Sequence, residues 1–278
     1  MKNDIWLVTG ASKGLGLELA RKLVQSGRRV AVTTRSVSAV RAALGDAVFA
    51  VEVDLLDEAS VGRAVNAVIE RFGGLDVVVN NAGYGQMGAA EEVSDAEARR
   101  NFDVNVFGVL NVLRATLPTL RKQRAGHVFN IGSVGGFTGG FAGWGVYCAT
   151  KFALSGLTEG LHQDLSPLGV HVTLVYPGYF RTEFLSTDSV ARPQQRIADY
   201  GSARESEAQH LGSIHHNQAG DPVRLADALI ATREMSAPPL HLFLGSDSFG
   251  MAKDKLAAVE RELNAHRELS HSTDFPKT

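Results

Sequence analysis

The chain is almost without cysteine: Cys148 is the single one in 278 residues. One thiol excludes any intramolecular disulfide, so the core must hold the fold and a reducing compartment is expected. Long apolar runs are also missing. Nowhere do about 18 uncharged apolar residues follow one another, the length that a membrane-crossing helix needs. The stretch from Met1 to Val8 lacks the basic-then-apolar order of a secretory leader. A soluble, cytoplasmic protein with no membrane partner is therefore expected. Neither charge is in excess, since 28 Lys and Arg face 30 Asp and Glu for a net −2. That removes the electrostatic case for nucleic acid. No Pro/Gly/Ser linker, composition break or internal repeat divides the chain, so residues 1–278 read as one domain.

What is present is regular alternation. Short β-branched runs at Ile5–Thr9, Arg29–Thr34, Val48–Val53, Asp76–Asn80, His127–Ile131, His171–Val175 and His241–Leu244 predict strands. Several, such as Val77-Val78-Val79, are continuously apolar, as parallel strands covered on both faces are. Between them lie helical stripes: Leu15, Leu19 and Leu23, stopped by Gly27, and Val61, Val65, Val68 and Phe72, stopped by Gly73-Gly74. Repeated β-α units imply right-handed crossovers. The expected fold is a single α/β Rossmann domain, a doubly wound parallel sheet of about seven strands with helices on both faces. Residues 184–220 lack clear periodicity and read as a substrate lid, because structureless loops of that length are uncommon without a function. Met251 to Leu269 predicts a charged amphipathic helix inside a C-terminal segment, 251–278.

The first strand runs into Thr9-Gly10-Ala11-Ser12-Lys13-Gly14-Leu15-Gly16 and directly on into a helix. Glycines there allow a tight turn and close backbone approach, while the helix N-terminus offers unpaired N–H groups to a pyrophosphate. The strand-turn-helix context makes a dinucleotide the expected ligand. NAD-preferring folds usually place an acid at the end of the second strand for the ribose 2′-hydroxyl. Here Thr34-Arg35 stands at that point, and no Asp or Glu occurs from Leu19 through Gly45. A guanidinium pairs with a 2′-phosphate that a carboxylate would repel. With Lys13 adding a second positive charge, NADP(H) is the expected cofactor.

Tyr147 and Lys151 are four apart in a helical segment, Val146 to Leu165, and so share a face. A free phenol titrates near 10 and is a poor acid or base at neutral pH. An ammonium within about 4–6 Å favours the phenolate and would bring Tyr147 toward the working range.

These motifs together resemble a short-chain dehydrogenase/reductase, and the likeness spans about Ile5 to Asp247. Thr9 to Gly16 matches the family's cofactor turn. Asp54, followed by Leu55, matches the acid beside the adenine ring. Asn80-Asn81-Ala82-Gly83 matches the NNAG element, and Pro177-Gly178 with Thr182 the segment that closes over the nicotinamide. Asn105, Ser133, Tyr147 and Lys151 fall on the four catalytic positions. The resemblance implies that Tyr147 exchanges a proton with the carbonyl oxygen and Ser133 orients that oxygen. It implies that Lys151 tunes Tyr147 and holds the nicotinamide ribose, and that Asn105 positions a water behind Lys151. It also implies a homo-oligomer, a dimer or tetramer.

Between Ser133 and Tyr147 lie six glycines with Phe137, Phe141 and Trp144. Such a wall suits an apolar or aromatic carbonyl substrate, and it equally suits packing against the lid or a second subunit. His210, His215 and His216 cluster in the lid region. No carboxylate or cysteine completes an evident ligand set, so no metal is expected. Cys148 reads as a small buried side chain. A ketone or aldehyde reductase is the first functional expectation. A 3-oxoacyl thioester reductase, with Arg99, Arg100, Arg121, Lys122 and Arg124 as docking charges, is an alternative. A non-catalytic NADP(H)-sensing protein is another.

Overall fold

The computed structural model describes residues 3–186 and 189–275. Residues 187 and 188 of the expected lid and 276–278 of the tail lie outside the described residues. The elements run β1 (Ile5–Thr9), α1 (Gly14–Gln25), β2 (Arg29–Thr34), α2 (Val37–Leu44), β3 (Phe49–Glu52), α3 (Glu58–Phe72) and β4 (Val77–Asn80). They continue with β5 (Gly85–Gln86), α4 (Asp95–Phe102), α5 (Gly108–Gln123), β6 (Gly126–Ile131), α6 (Gly145–Leu165) and β7 (Val170–Pro177). The chain ends with β8 (Val190–Ala191), α7 (Gly201–Ala208), α8 (Pro222–Glu234), β9 (His241–Leu244), α9 (Ser246–Ala265) and α10 (Arg267–His271). All seven expected strands form, and they make one parallel sheet in the order β3-β2-β1-β4-β6-β7-β9.

Both faces of that sheet are covered. On one face Leu7, Val78, Val128 and Val172 pack with Val65, Val68, Leu113 and Leu154. On the other Trp6, Val8, Val79 and Phe129 pack with Leu19, Leu23 and Leu229. Each fully buried aliphatic or aromatic side chain contributes about 1.5–3 kcal/mol. The strand order reverses between β1 and β4, which opens a crevice above their C-terminal ends, where open α/β sheets bind ligands. α1 begins in it.

Two departures from expectation follow from tertiary contacts. The lid region is not structureless: β8 pairs in parallel with β5, and α7 continues into a π-helical stretch, Gln209–Ile214. The C-terminal helix begins at Ser246, ahead of the expected Met251, because Asp247 and Ser248 are tied to the end of β7. Among the described residues, no helix is long and apolar enough to cross a membrane.

Candidate active site

A cavity of about 1200 Å³ lies above the crevice. At one end it is floored by Gly10, Ser12, Lys13, Gly14 and Leu15, and Arg35, Asp54 and Leu55 stand around them. Gly10 and Gly14 have φ of +66° and +60°, a conformation that favours glycine. A Cβ on Gly10 would sit 2.8 Å from the Cα of Ala82. Asn81 locks this approach by donating from Nδ2 to the carbonyls of Thr9 (2.9 Å) and Gly10 (3.0 Å). Gly16 does not line the cavity. Its own Cβ would lie 2.5 Å from Asn81 Nδ2, so it lets α1 pack on the turn instead of touching a ligand.

Lys13 is the extended residue before α1, and among the described residues no side chain caps the first turn. The N–H groups of that turn thus remain available to an anion. A glycine cradle and an uncapped helix start fit a dinucleotide pyrophosphate. Arg35 and Lys13 are both exposed at the cavity edge. A carboxylate reaches this end as well: Glu52, paired in register with Thr34 across β2 and β3, also lines the cavity. It comes from the neighbouring strand, where a search along β2 does not find it.

The inner end holds Ser133, Tyr147 and Lys151 with Ala82, Gly83, Pro177, Gly178 and Thr182. Ser133 follows β6, and its hydroxyl accepts from Gly135 N–H at 3.0 Å. α6 brings Tyr147 and Lys151 to the same wall, with Lys151 Nζ 5.8 Å from the Tyr147 ring centre. Lys151 donates to the carbonyl of Ile131 at 2.9 Å. Burial pushes its pKa down to about 8. Burial also pushes the Tyr147 phenol well above its ordinary value, and the facing Ser133 hydroxyl pulls the other way. Desolvation of the phenolate, which the sequence expectation did not weigh, is the largest influence on Tyr147.

Asn105 lies in a π-helical turn, Asp103–Phe107, one layer behind the wall and not on it. Its Nδ2 donates to Tyr84 O (3.0 Å) and Thr150 Oγ1 (3.1 Å), and its Oδ1 accepts from Tyr84 N–H (3.1 Å). It positions the strand end beside Lys151. Of the three expected substrate aromatics, Phe141 and Trp144 line the cavity. Phe137 turns away and packs edge-on against Tyr176 and Phe243, at 5.7 and 5.0 Å. The apolar sheet edge at β7 and β9 draws it off.

Several residues emerge only in three dimensions. Asn130 accepts from Asn80 Nδ2 (2.8 Å) and donates to Thr158 (2.9 Å), which fastens α6 to the sheet. Asp247 accepts from Tyr179 N–H at 2.6 Å and holds the turn after β7. Glu183 brings a carboxylate to His215 and His216, the partner that sequence reasoning missed. Both His–carboxylate contacts are 3.9 Å, and two of the three groups are exposed. Ligands about a bound zinc stand about 3.4 Å apart, so the three groups are spaced more openly than a bound zinc would hold them.

Comparison with known proteins agrees with this geometry. The profile of the short chain dehydrogenase family matches residues 4–192. The oxidoreductase BOA17 of Botryotinia fuckeliana is 32% identical over 277 residues, covering 96% of this chain and 97% of that protein. The 3-ketodihydrosphingosine reductase of Bacteroides thetaiotaomicron is 37% identical over 203 residues, covering 73% and 74%. A crystal structure of a short-chain dehydrogenase from Streptomyces avermitilis superposes with a TM-score of 0.90 at 35% identity, covering 99% of this chain and 100% of that one.

Proposed function

The chain belongs to the short-chain dehydrogenase family of oxidoreductases, and from that premise we propose that it is an NADP(H)-dependent reductase of ketones or aldehydes. One observation carries the reading. The Tyr147 phenol and Ser133 hydroxyl line the inner end of the cavity whose outer end is the glycine cradle. When bound, the nicotinamide supplies the hydride. Ser133 donates a hydrogen bond to the substrate oxygen and orients it. Tyr147 gives that oxygen its proton, or removes it in the alcohol-oxidising direction. Lys151 holds the ribose hydroxyls and sets its positive charge beside the phenol. Gly10 to Leu15 cradle the pyrophosphate, Asp54 and Leu55 border the adenine, and Asn81, Ala82, Gly83, Pro177, Gly178 and Thr182 flank the ring-binding end.

Arg35 and Lys13 support the phosphorylated form of the cofactor, with Glu52 the countervailing charge. Phe141 and Trp144 support a substrate with an apolar or aromatic body. The segment 184–220 acts as its lid. The same reading includes self-association of this chain. Phe249, Leu256 and Leu263 are spaced by seven along α9 and lie exposed, which gives a second copy an apolar row to pack against.

The test is carbonyl-dependent loss of NADPH absorbance over a panel of ketones and aldehydes, repeated with NADH. Wild-type protein is expected to prefer NADPH. Tyr147→Phe is expected to lower kcat about 100- to 10,000-fold. Turnover unchanged by that substitution would defeat the role of Tyr147, and an NADH preference would shift the weight from Arg35 to Glu52.

A further inference from the structure

Beyond Tyr147, the cavity holds a second polar pair, one member half-buried and the other buried, that hydride transfer does not use. The Tyr179 hydroxyl lies 2.8 Å from His210 Nε2. Both side chains line the cavity, Tyr179 from the turn after β7 and His210 from the π-helical end of the lid. The tautomer is settled by the other ring nitrogen. His210 Nδ1 stands 2.7 Å from the carbonyl of Ser206. A carbonyl only accepts, so Nδ1 carries the proton. Burial holds the His210 pKa below its ordinary value, which keeps the ring neutral. Nε2 is then an acceptor, and Tyr179 spends its proton on it. The lone pairs of the Tyr179 oxygen are what the pair can offer a ligand.

The aromatic wall joins this pair to the reacting centre. Trp144 packs against both Tyr147, at 5.6 Å, and His210, at 5.0 Å. A molecule lying along Trp144 with its carbonyl at Tyr147 and Ser133 would thus reach the Tyr179–His210 pair with its far end. Such an end is selected by hydrogen-bond direction. A hydroxyl donates to the Tyr179 oxygen. An ether or second carbonyl sets lone pairs against lone pairs. It can be accommodated only by turning the phenol proton away, which strands His210 Nε2 without a donor.

We propose that Tyr179, held by His210, is a second substrate anchor, and that the preferred substrates are carbonyl compounds with an apolar body and a distal hydroxyl. The assignment rests on the reductase reading and narrows its substrate class. Sites built to hydrogen-bond a substrate hydroxyl discriminate strongly against analogues without it.

The experiment compares 6-hydroxy-1-tetralone, 1-tetralone and 6-methoxy-1-tetralone with NADPH in wild-type protein and in Tyr179→Phe and His210→Leu. In wild type kcat/KM should be about tenfold higher for the hydroxyketone than for the parent, with the gain in KM, and the methoxyketone should fall below the parent. In Tyr179→Phe the hydroxy-to-parent ratio should drop to about one, and in His210→Leu, whose phenol proton is free to turn, the methoxyketone should no longer fall below the parent. His210→Gln, whose side-chain carbonyl can still accept from Tyr179, should restore part of the discrimination against the methoxyketone. Equal kcat/KM for the three ketones in wild type, or a preference that survives Tyr179→Phe, would overturn the anchor and leave the reductase reading standing. No turnover of any of the three would tell against the reductase reading instead. Binding followed by quenching of tryptophan fluorescence then decides the anchor: the same order of Kd supports it, and equal Kd overturns it.

Discussion

Burial disfavours the charged form of both Tyr147 and Lys151, and on Tyr147 the Ser133 hydroxyl opposes it. Placing both side chains in the cavity wall disfavours the phenolate and the ammonium alike, so Tyr147 is raised and Lys151 falls to about 8. Below about pH 8 Lys151 keeps its proton, and above it the charge beside the phenol is lost. Reductase kcat/KM should therefore hold below that value and fall as the pH climbs past it, with Lys151→Met low throughout. A profile flat from pH 7 to 10 would show that the cation is not needed. Stability should move the other way in that window. A base depressed in the folded state leaves the unfolded chain binding the extra proton between about 8 and the ordinary lysine value near 10.4. The Lys151 contribution to folding thus improves with rising pH, and melting temperature and activity should part company. Tyr147, Lys151 and Ser133 are legible in the sequence because a four-residue helical spacing and a strand-end serine are local patterns. Phe137 is not, because its direction depends on Tyr176 and Phe243, which lie far along the chain.

Residues 189–208 are where long-range contacts replace local ones. Glu92, buried, accepts from Ala89 N–H (2.9 Å) and Ile197 N–H (2.8 Å) and pairs with Arg204. Glu97 accepts from Gln194 N–H at 3.2 Å, and Glu91 accepts from the Tyr200 hydroxyl at 2.7 Å. Burial would raise the Glu92 pKa, but the two N–H groups and the Arg204 guanidinium outweigh it and hold the carboxyl below the usual range. This contribution is present above the ordinary carboxylate value and is lost as the pH falls below it. Glu92→Ala should release residues 190–208 to limited proteolysis while the sheet stays folded, and should raise substrate KM. Cleavage no faster than in wild type would show that the latch is redundant. These contacts also explain why α7 escapes sequence reading: Ala203 is its single buried residue, too little for an apolar stripe.

At the scale of the whole molecule, the exposed row of Phe249, Leu256 and Leu263 should bring copies of this chain together. Sedimentation should give a multiple of the 29.7 kDa chain mass, and Leu256→Lys with Leu263→Lys should shift it toward a monomer. A monomeric wild type at tens of micromolar would remove the basis for association through α9. The sequence by itself determined the seven parallel strands, the glycine turn and the Tyr147–Lys151 face. Each is written in spacings of two to seven residues, the range over which a strand or helix repeats. Tertiary structure alone decided that Glu52 stands beside Thr34, that Asn105 lies behind the wall, and that Tyr179 meets His210. Those neighbours belong to segments whose distance in space is set by how the sheet is wound, and no local period records it.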